Sequence, residues 1–251
     1  MERMANTIRY ESKPDFHNPI IIEGLPGVGN VGKLAADFIA DKLNAKTFAR
    51  VYSDELPPQV LINEECVIEP VCHELKHAKT ADGRDLIFIM GAFQANTPAG
   101  QYNLTEYEFK QMLSYDPSLI VTLGGYGTGE VVTDPRVFGV VSDARMKTEY
   151  EQYGILFAPN EPKGGIVGAA AMFVAFGKIY GIKSISVIGE TSGFIIDVKS
   201  ARNVIDVLSG MFGTEIDTSD LNDAVNQIEK INSKAKELNP EPAGEDLSYI
   251  G

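Results

Sequence analysis

Ile20-Ile21-Ile22-Glu23-Gly24-Leu25-Pro26-Gly27-Val28-Gly29-Asn30-Val31-Gly32-Lys33-Leu34 places an apolar strand, a glycine turn and the start of a helix side by side. Strand, glycine turn and helix is the arrangement in which backbone N–H groups cradle phosphate. Two templates overlap in it. Gly27, Gly29 and Gly32 satisfy G-x-G-x-x-G, while residues 27–33 satisfy G-x-x-x-x-G-K. The second template next requires Ser or Thr, whose hydroxyl holds Mg²⁺, and Leu34 has none.

The rest of the chain does not repair that loss. The run Leu86-Ile87-Phe88-Ile89-Met90 ends in Gly91-Ala92, and Leu119-Ile120-Val121-Thr122-Leu123 ends in Gly124-Gly125. Only Ser186-Val187-Ile188-Gly189-Glu190 brings an acid to a strand end. A dinucleotide site wants an acid about 20 residues past the glycines; Asp54 and Glu55 stand there but precede Pro57-Pro58 and read as a turn. The glycine segment is therefore read first as a tight turn packed on the sheet. Gly27, Gly29, Gly32, Gly124, Gly125 and Glu190 remain candidate walls of a small-molecule pocket, for which a nucleoside or nucleotide is the alternative ligand.

Unalternating apolar runs suit strands covered on both faces, and they recur between helical patterns, so the expected fold class is α/β with a single three-layer domain. The expected boundaries are an N-terminal segment (1–18), the α/β domain (19–215), a C-terminal helix (216–238) and a flexible tail (239–251). Residues 1–18 read as polar and irregular, and 124–139 as a glycine-rich loop at a strand end. A helix is expected over 105–115. In the last helix Leu221, Val225, Ile228, Ile231, Ala235 and Leu238 repeat at alternating three and four residues, a stripe that packs on its own domain or on another subunit.

With 251 residues, 44% hydrophobic, the chain can bury a large core. Its net charge of −13 argues against nucleic acid and anionic membranes. No apolar run is long enough to span a bilayer, and residues 1–6 lack a signal-peptide core, so a cytoplasmic location is expected. Cys66, Cys72, His73 and His77 have zinc-ligand chemistry without the close cysteine pair of a structural site. The cysteines read as small core fillers and the two histidines as solvated. No G-x-S-x-G elbow is present, and Ser192 has no evident base. Glu190 would serve as a general base if buried, but bonding to its own loop is the simpler role. Evidence for an enzyme is thin, and no metal or cofactor is expected.

Several segments together resemble one family. They are the turn at 22–32, Phe88-Ile89-Met90-Gly91-Ala92-Phe93-Gln94, Ile120-Val121-Thr122-Leu123-Gly124-Gly125-Tyr126, Gly164-Gly165-Ile166-Val167-Gly168-Ala169 and Ile188-Gly189-Glu190-Thr191. In order and spacing they are similar to the proteasome assembly chaperone family in its archaeal-type form, across residues 19–238. The resemblance implies a fold like that of purine nucleoside phosphorylases, homo-oligomers, no cofactor, and binding to core proteasome α-subunits as an assembly chaperone or ATP-independent activator. Partners of the α-ring commonly end in a hydrophobic residue, a tyrosine and one further residue. The resemblance therefore makes Leu247, Tyr249, Ile250 and Gly251 the partner-binding residues, with Tyr249 one position removed from that pattern.

Overall fold

The computed structural model describes residues 6–221. By its internal contacts the chain divides into a unit Met1–Ile216 and a second, Asp217–Gly251. Of the expected C-terminal helix (216–238), residues 216–218 are not helical and 219–221 are, and the remainder lies outside the described residues, as do the tail residues Leu247, Tyr249, Ile250 and Gly251.

In the first unit the elements run β1 (Thr7–Tyr10), β2 (Ile20–Gly24), α1 (Val31–Lys42), β3 (Lys46–Tyr52), β4 (Val60–Ile62), β5 (Ile68–Pro70), β6 (His73–Lys79), β7 (Asp85–Gly91) and α2 (Pro98–Leu113). They continue with β8 (Leu119–Gly127), β9 (Val137–Val141), α3 (Lys147–Glu151), α4 (Gly168–Tyr180), β10 (Ser184–Thr191) and α5 (Val198–Phe212). One eight-stranded sheet has the order β1-β3-β6-β7-β2-β8-β10-β9, and β4 and β5 form a separate antiparallel hairpin. The four central strands, β7, β2, β8 and β10, are parallel. They are the apolar runs of the sequence, buried because helices cover both faces.

Alternation along β2 shows how the layers divide. Gly24 faces α1, and a Cβ there would strike the Ala36 side chain at 2.1 Å. Ile21 points the other way, into a core shared with Phe109 of α2 and Phe173 of α4. Helices α1 and α5 pack together on the first face, and α2 and α4 on the second. The three-layer α/β expectation holds. Fully burying one such aromatic side chain contributes on the order of 2–3 kcal/mol.

The termini of the helices follow local chemistry. Thr97 caps α2 by accepting from the Gly100 N–H at 2.9 Å, with Pro98 at the first helical position. That start lies well before residue 105, where hydrophobic spacing first becomes helical, because residues 98–103 carry no apolar stripe. Asp197 caps α5 through the Ser200 N–H at 2.9 Å.

Two segments differ from expectation. Residues 7–10 form an edge strand, β1, paired antiparallel to β3 with Thr7 opposite Tyr52. Within 124–139, β8 continues to Gly127 because β10 pairs with it as far as Thr191. The antiparallel edge strand β9 then follows on the other side of β10. Residues 7–10 and 124–127 lack the local apolar run that marks the central strands, whereas Val137-Phe138-Gly139-Val140-Val141 has one.

Candidate functional site

All four parallel strands end at the same edge of the sheet, the usual ligand edge of an open α/β fold. The glycine turn lies there. Val28–Asn30 makes one turn of 3-10 helix leading into α1, and Gly29 has φ +60°, a left-handed conformation that suits glycine. A Cβ on Gly32 would lie 2.4 Å from the Leu123 carbonyl oxygen, and one on Gly125 2.1 Å from that of Val28. The side chain of Thr191 fills the space beside Gly29. Gly27 and Gly124 have no atom within 4 Å of an added Cβ. The turn thus sits with its backbone against the ends of β8 and β10. Lys33 turns away to pair with Asp37 at 2.7 Å along α1.

Gln94 ties the neighbouring loops. Its amide donates to the Pro26 carbonyl at 2.6 Å and accepts from the Ala169 N–H at 3.1 Å and from Gln101 at 2.8 Å. One side chain so joins the glycine turn, the start of α2 and the start of α4. Its place in the sequence motif is thereby explained as packing.

Glu190 is buried, but as a clamp. Both its oxygens are taken by the Arg136 guanidinium, and Oε2 also accepts from the Arg136 backbone N–H at 3.2 Å. Hydrogen bonds from Arg136, opposed by burial, hold the carboxyl below the usual glutamate range. An ionised carboxylate in a bidentate pair is a poor general base. Ser192 donates no proton to a base; its Oγ accepts from the Phe194 N–H at 3.4 Å.

The other candidates are scattered. Cys66 is exposed in the β4–β5 turn with φ +61°, and Cys72 is only half-buried, so neither is a core filler. Among the described residues no three or more His, Cys, Asp or Glu side chains converge as metal ligands. His73, expected to be solvated, is buried. Its Nδ1 lies 2.6 Å from Glu108 Oε1, and its Nε2 lies 2.9 Å from the Phe93 carbonyl oxygen. A carbonyl only accepts, so Nε2 carries a proton. Burial pushes His73 down, but the Glu108 charge and hydrogen bond outweigh it and the net shift is upward.

Glu23 of β2 shares that core. Burial, reinforced by the Glu108 charge and opposed by the Leu25 N–H and by His73, raises its carboxyl to about 8. Glu23 Oε2 and Glu108 Oε2 have no hydrogen-bond partner. Sequence reading missed this cluster because Glu108 lies 35 positions from His73. The only local signal was an acid, Glu23, inside an otherwise apolar strand.

A groove of about 740 Å³ lies between α1, strands β3 and β6, the β4–β5 hairpin and the carboxyl end of β7 at Met90, Gly91 and Ala92. Within it Arg50 pairs with Glu74 at 3.0 Å, Lys76 with Glu74 at 3.5 Å, and Lys33 with Asp37 at 2.7 Å, while Asp41 and Glu69 also line it. Among the described residues Glu23, His73 and Glu108 form a buried grouping of titratable side chains. No helix among the described residues is long and apolar enough to cross a membrane.

A model of the PAC2 family matches residues 21–236, and the chain belongs to that family. It is 32% identical over 245 residues to the uncharacterized protein MJ1210 of Methanocaldococcus jannaschii, covering 94% of this chain and 93% of that protein. Among solved structures it is similar to Pyrococcus furiosus PbaB, described as an archaeal proteasome activator. The identity is 33% and the TM-score 0.87, over 93% of this chain and all of PbaB. It is also similar to Pyrococcus furiosus PbaA, described as an archaeal homolog of proteasome-assembly chaperone, at 26% identity and TM-score 0.76 over 93% of each chain.

Proposed function

We propose that this PAC2-family chain is a proteasome assembly chaperone or ATP-independent activator. In this reading it works as a homo-oligomer and engages core proteasome α-subunits through Leu247, Tyr249, Ile250 and Gly251. The observation that carries the reading is the likeness to PbaB along nearly the whole of this chain and all of that one. Supporting it, Lys33 is paired with Asp37 along α1 rather than turned to the glycine turn, and Glu190 is held as an ion pair. Both observations weigh against the alternative of a nucleoside or nucleotide enzyme.

The energetics favour several tails acting together. Burying one tyrosine and one isoleucine contributes on the order of 2 kcal/mol each, less the cost of ordering the segment. One tail is weak. Several on one oligomer raise the effective concentration and convert weak contacts into avidity. Deleting residues 247–251 should abolish co-elution with α-rings while leaving the mass of the oligomer unchanged. Undiminished co-elution of the truncated chain would refute the role of the tail.

A further inference from the structure

We propose that the buried row Glu23, Thr122 and Ser186, together with Glu108, is an internal hydration site. Ordered waters held there, between the central sheet and helices α2 and α4, join the four side chains into one hydrogen-bonded network.

The row follows from strand register. Glu23 of β2 stands opposite Thr122 of β8, and Thr122 opposite Ser186 of β10. Matched residues of parallel strands project from the same face, about 4.8 Å apart. That face is the one covered by α4, since Ser184, two residues before Ser186, donates to the Val174 carbonyl at 3.3 Å. Glu108 reaches the same core from α2, with Oε1 on His73 Nδ1, and its charge acts on Glu23.

Glu23 and Glu108 are 1% exposed, and Thr122 and Ser186 0%. Glu23 Oε2, Glu108 Oε2, Thr122 Oγ1 and Ser186 Oγ have no hydrogen-bond partner among the described residues. Buried polar atoms are otherwise nearly always paired, and four unpaired oxygens in one place would weigh heavily on a marginally stable fold.

Spacing and protonation select water as the ligand. Two hydrogen bonds of about 2.8 Å meeting at one water span about 4.5–5 Å, which matches the distance between neighbouring strands. Burial keeps Glu23 protonated at neutral pH, so its carboxyl has a proton to donate. One water accepts that proton's hydrogen bond and donates to Glu108 Oε2 and Thr122 Oγ1, the three bonds typical of a buried water. Another links the hydroxyls of Thr122 and Ser186.

Room exists on the same face. Helix α4 crosses it from Gly168, beside Gln94, to Gly177 against Ser184, and residues 168–171 carry no side chain larger than a methyl. Gly124, two residues past Thr122 on this face, has no atom within 4 Å of an added Cβ. Water enters there, from the strand ends.

The test is a high-resolution crystal structure of the full-length chain near neutral pH, joined to the melting temperature of Thr122→Val. Electron-density peaks are expected about 2.7–3.1 Å from Glu23 Oε2, Glu108 Oε2, Thr122 Oγ1 and Ser186 Oγ. A row without such peaks would overturn the proposal. So would a peak closer than about 2.6 Å to several of these oxygens, the mark of a bound cation. In solution Thr122→Val, close to threonine in shape, gives opposite signs in the two cases. In a hydrated row it strips a partner from the waters and should lower the melting temperature by about 2–4 °C. In a dry row it removes an unpaired buried hydroxyl and should raise it. An unchanged or raised melting temperature therefore counts against the site. If the variant does not fold, the wild-type crystal alone decides.

Discussion

Replacing Glu23 by glutamine tests whether the buried acid sets the pH dependence of the fold. The folded carboxyl titrates at about 8, against 4.5 for an unperturbed glutamate. At 1.36 kcal/mol per pH unit, that difference is worth on the order of 5 kcal/mol of proton-linked stability. Below pH 4.5 both folded and unfolded states hold the proton, and the contribution is complete. Between 4.5 and about 8 only the folded state holds it, so stability falls as pH rises. Above about 8 this carboxyl adds no further slope. Water entry and relaxation around the buried carboxylate reduce the observed loss to roughly 2–4 kcal/mol. His73 acts in the same direction. Raised from 6.5, it contributes stability that is complete below 6.5 and is lost as pH rises through its folded value.

Glu23→Gln keeps the acceptor for the Leu25 N–H, bonded at 3.2 Å in the parent, and removes the proton. Urea unfolding at fixed protein concentration, at several pH values from about 5 to 9, gives the comparison. The wild type should lose stability steadily toward alkaline pH. The variant should lose less, keeping only the His73 limb, and should overtake the wild type near pH 8. Parallel stability curves for the two proteins across that range would refute the assignment of the protonated acid to Glu23.

Two further expectations separate packing from ligand binding. Gly32→Ala should destabilise by about 3 kcal/mol or prevent folding, because its Cβ meets backbone that cannot rotate away. Gly27→Ala, with open space, should stay within about 0.5 kcal/mol; equal melting temperatures for the two variants would contradict the packed-turn reading. Arg136→Met should lower the melting temperature at neutral pH. It should also remove the acid limb due to Glu190, whose depressed carboxyl contributes stability above its ordinary value that is lost as pH falls through its folded one. An unaltered acid limb would place that titration elsewhere.

Much of the fold was legible because its central elements announce themselves locally. Runs such as 86–90 and 119–123 stay apolar without alternation, which only a strand covered on both faces requires. The glycine turn was read as a close approach, and Gly32 and Gly125 do pack against neighbouring backbone. Less legible were the edges. The strand β1 hides in the polar run Thr7-Ile8-Arg9-Tyr10, and the end of β8 in Leu123-Gly124-Gly125-Tyr126-Gly127, where pairing with β10 holds backbone that the side chains do not mark.

By itself the sequence determined the α/β alternation and the family likeness, both of which are properties of composition and spacing along one stretch of chain. Tertiary structure alone decided that His73 is buried against Glu108 and that Glu190 is neutralised by Arg136 54 positions away. The physical reason is that burial and charge pairing depend on which elements become neighbours. Local propensity shapes each strand and helix, but it contains no information on which distant carboxylate will face a given imidazole or guanidinium.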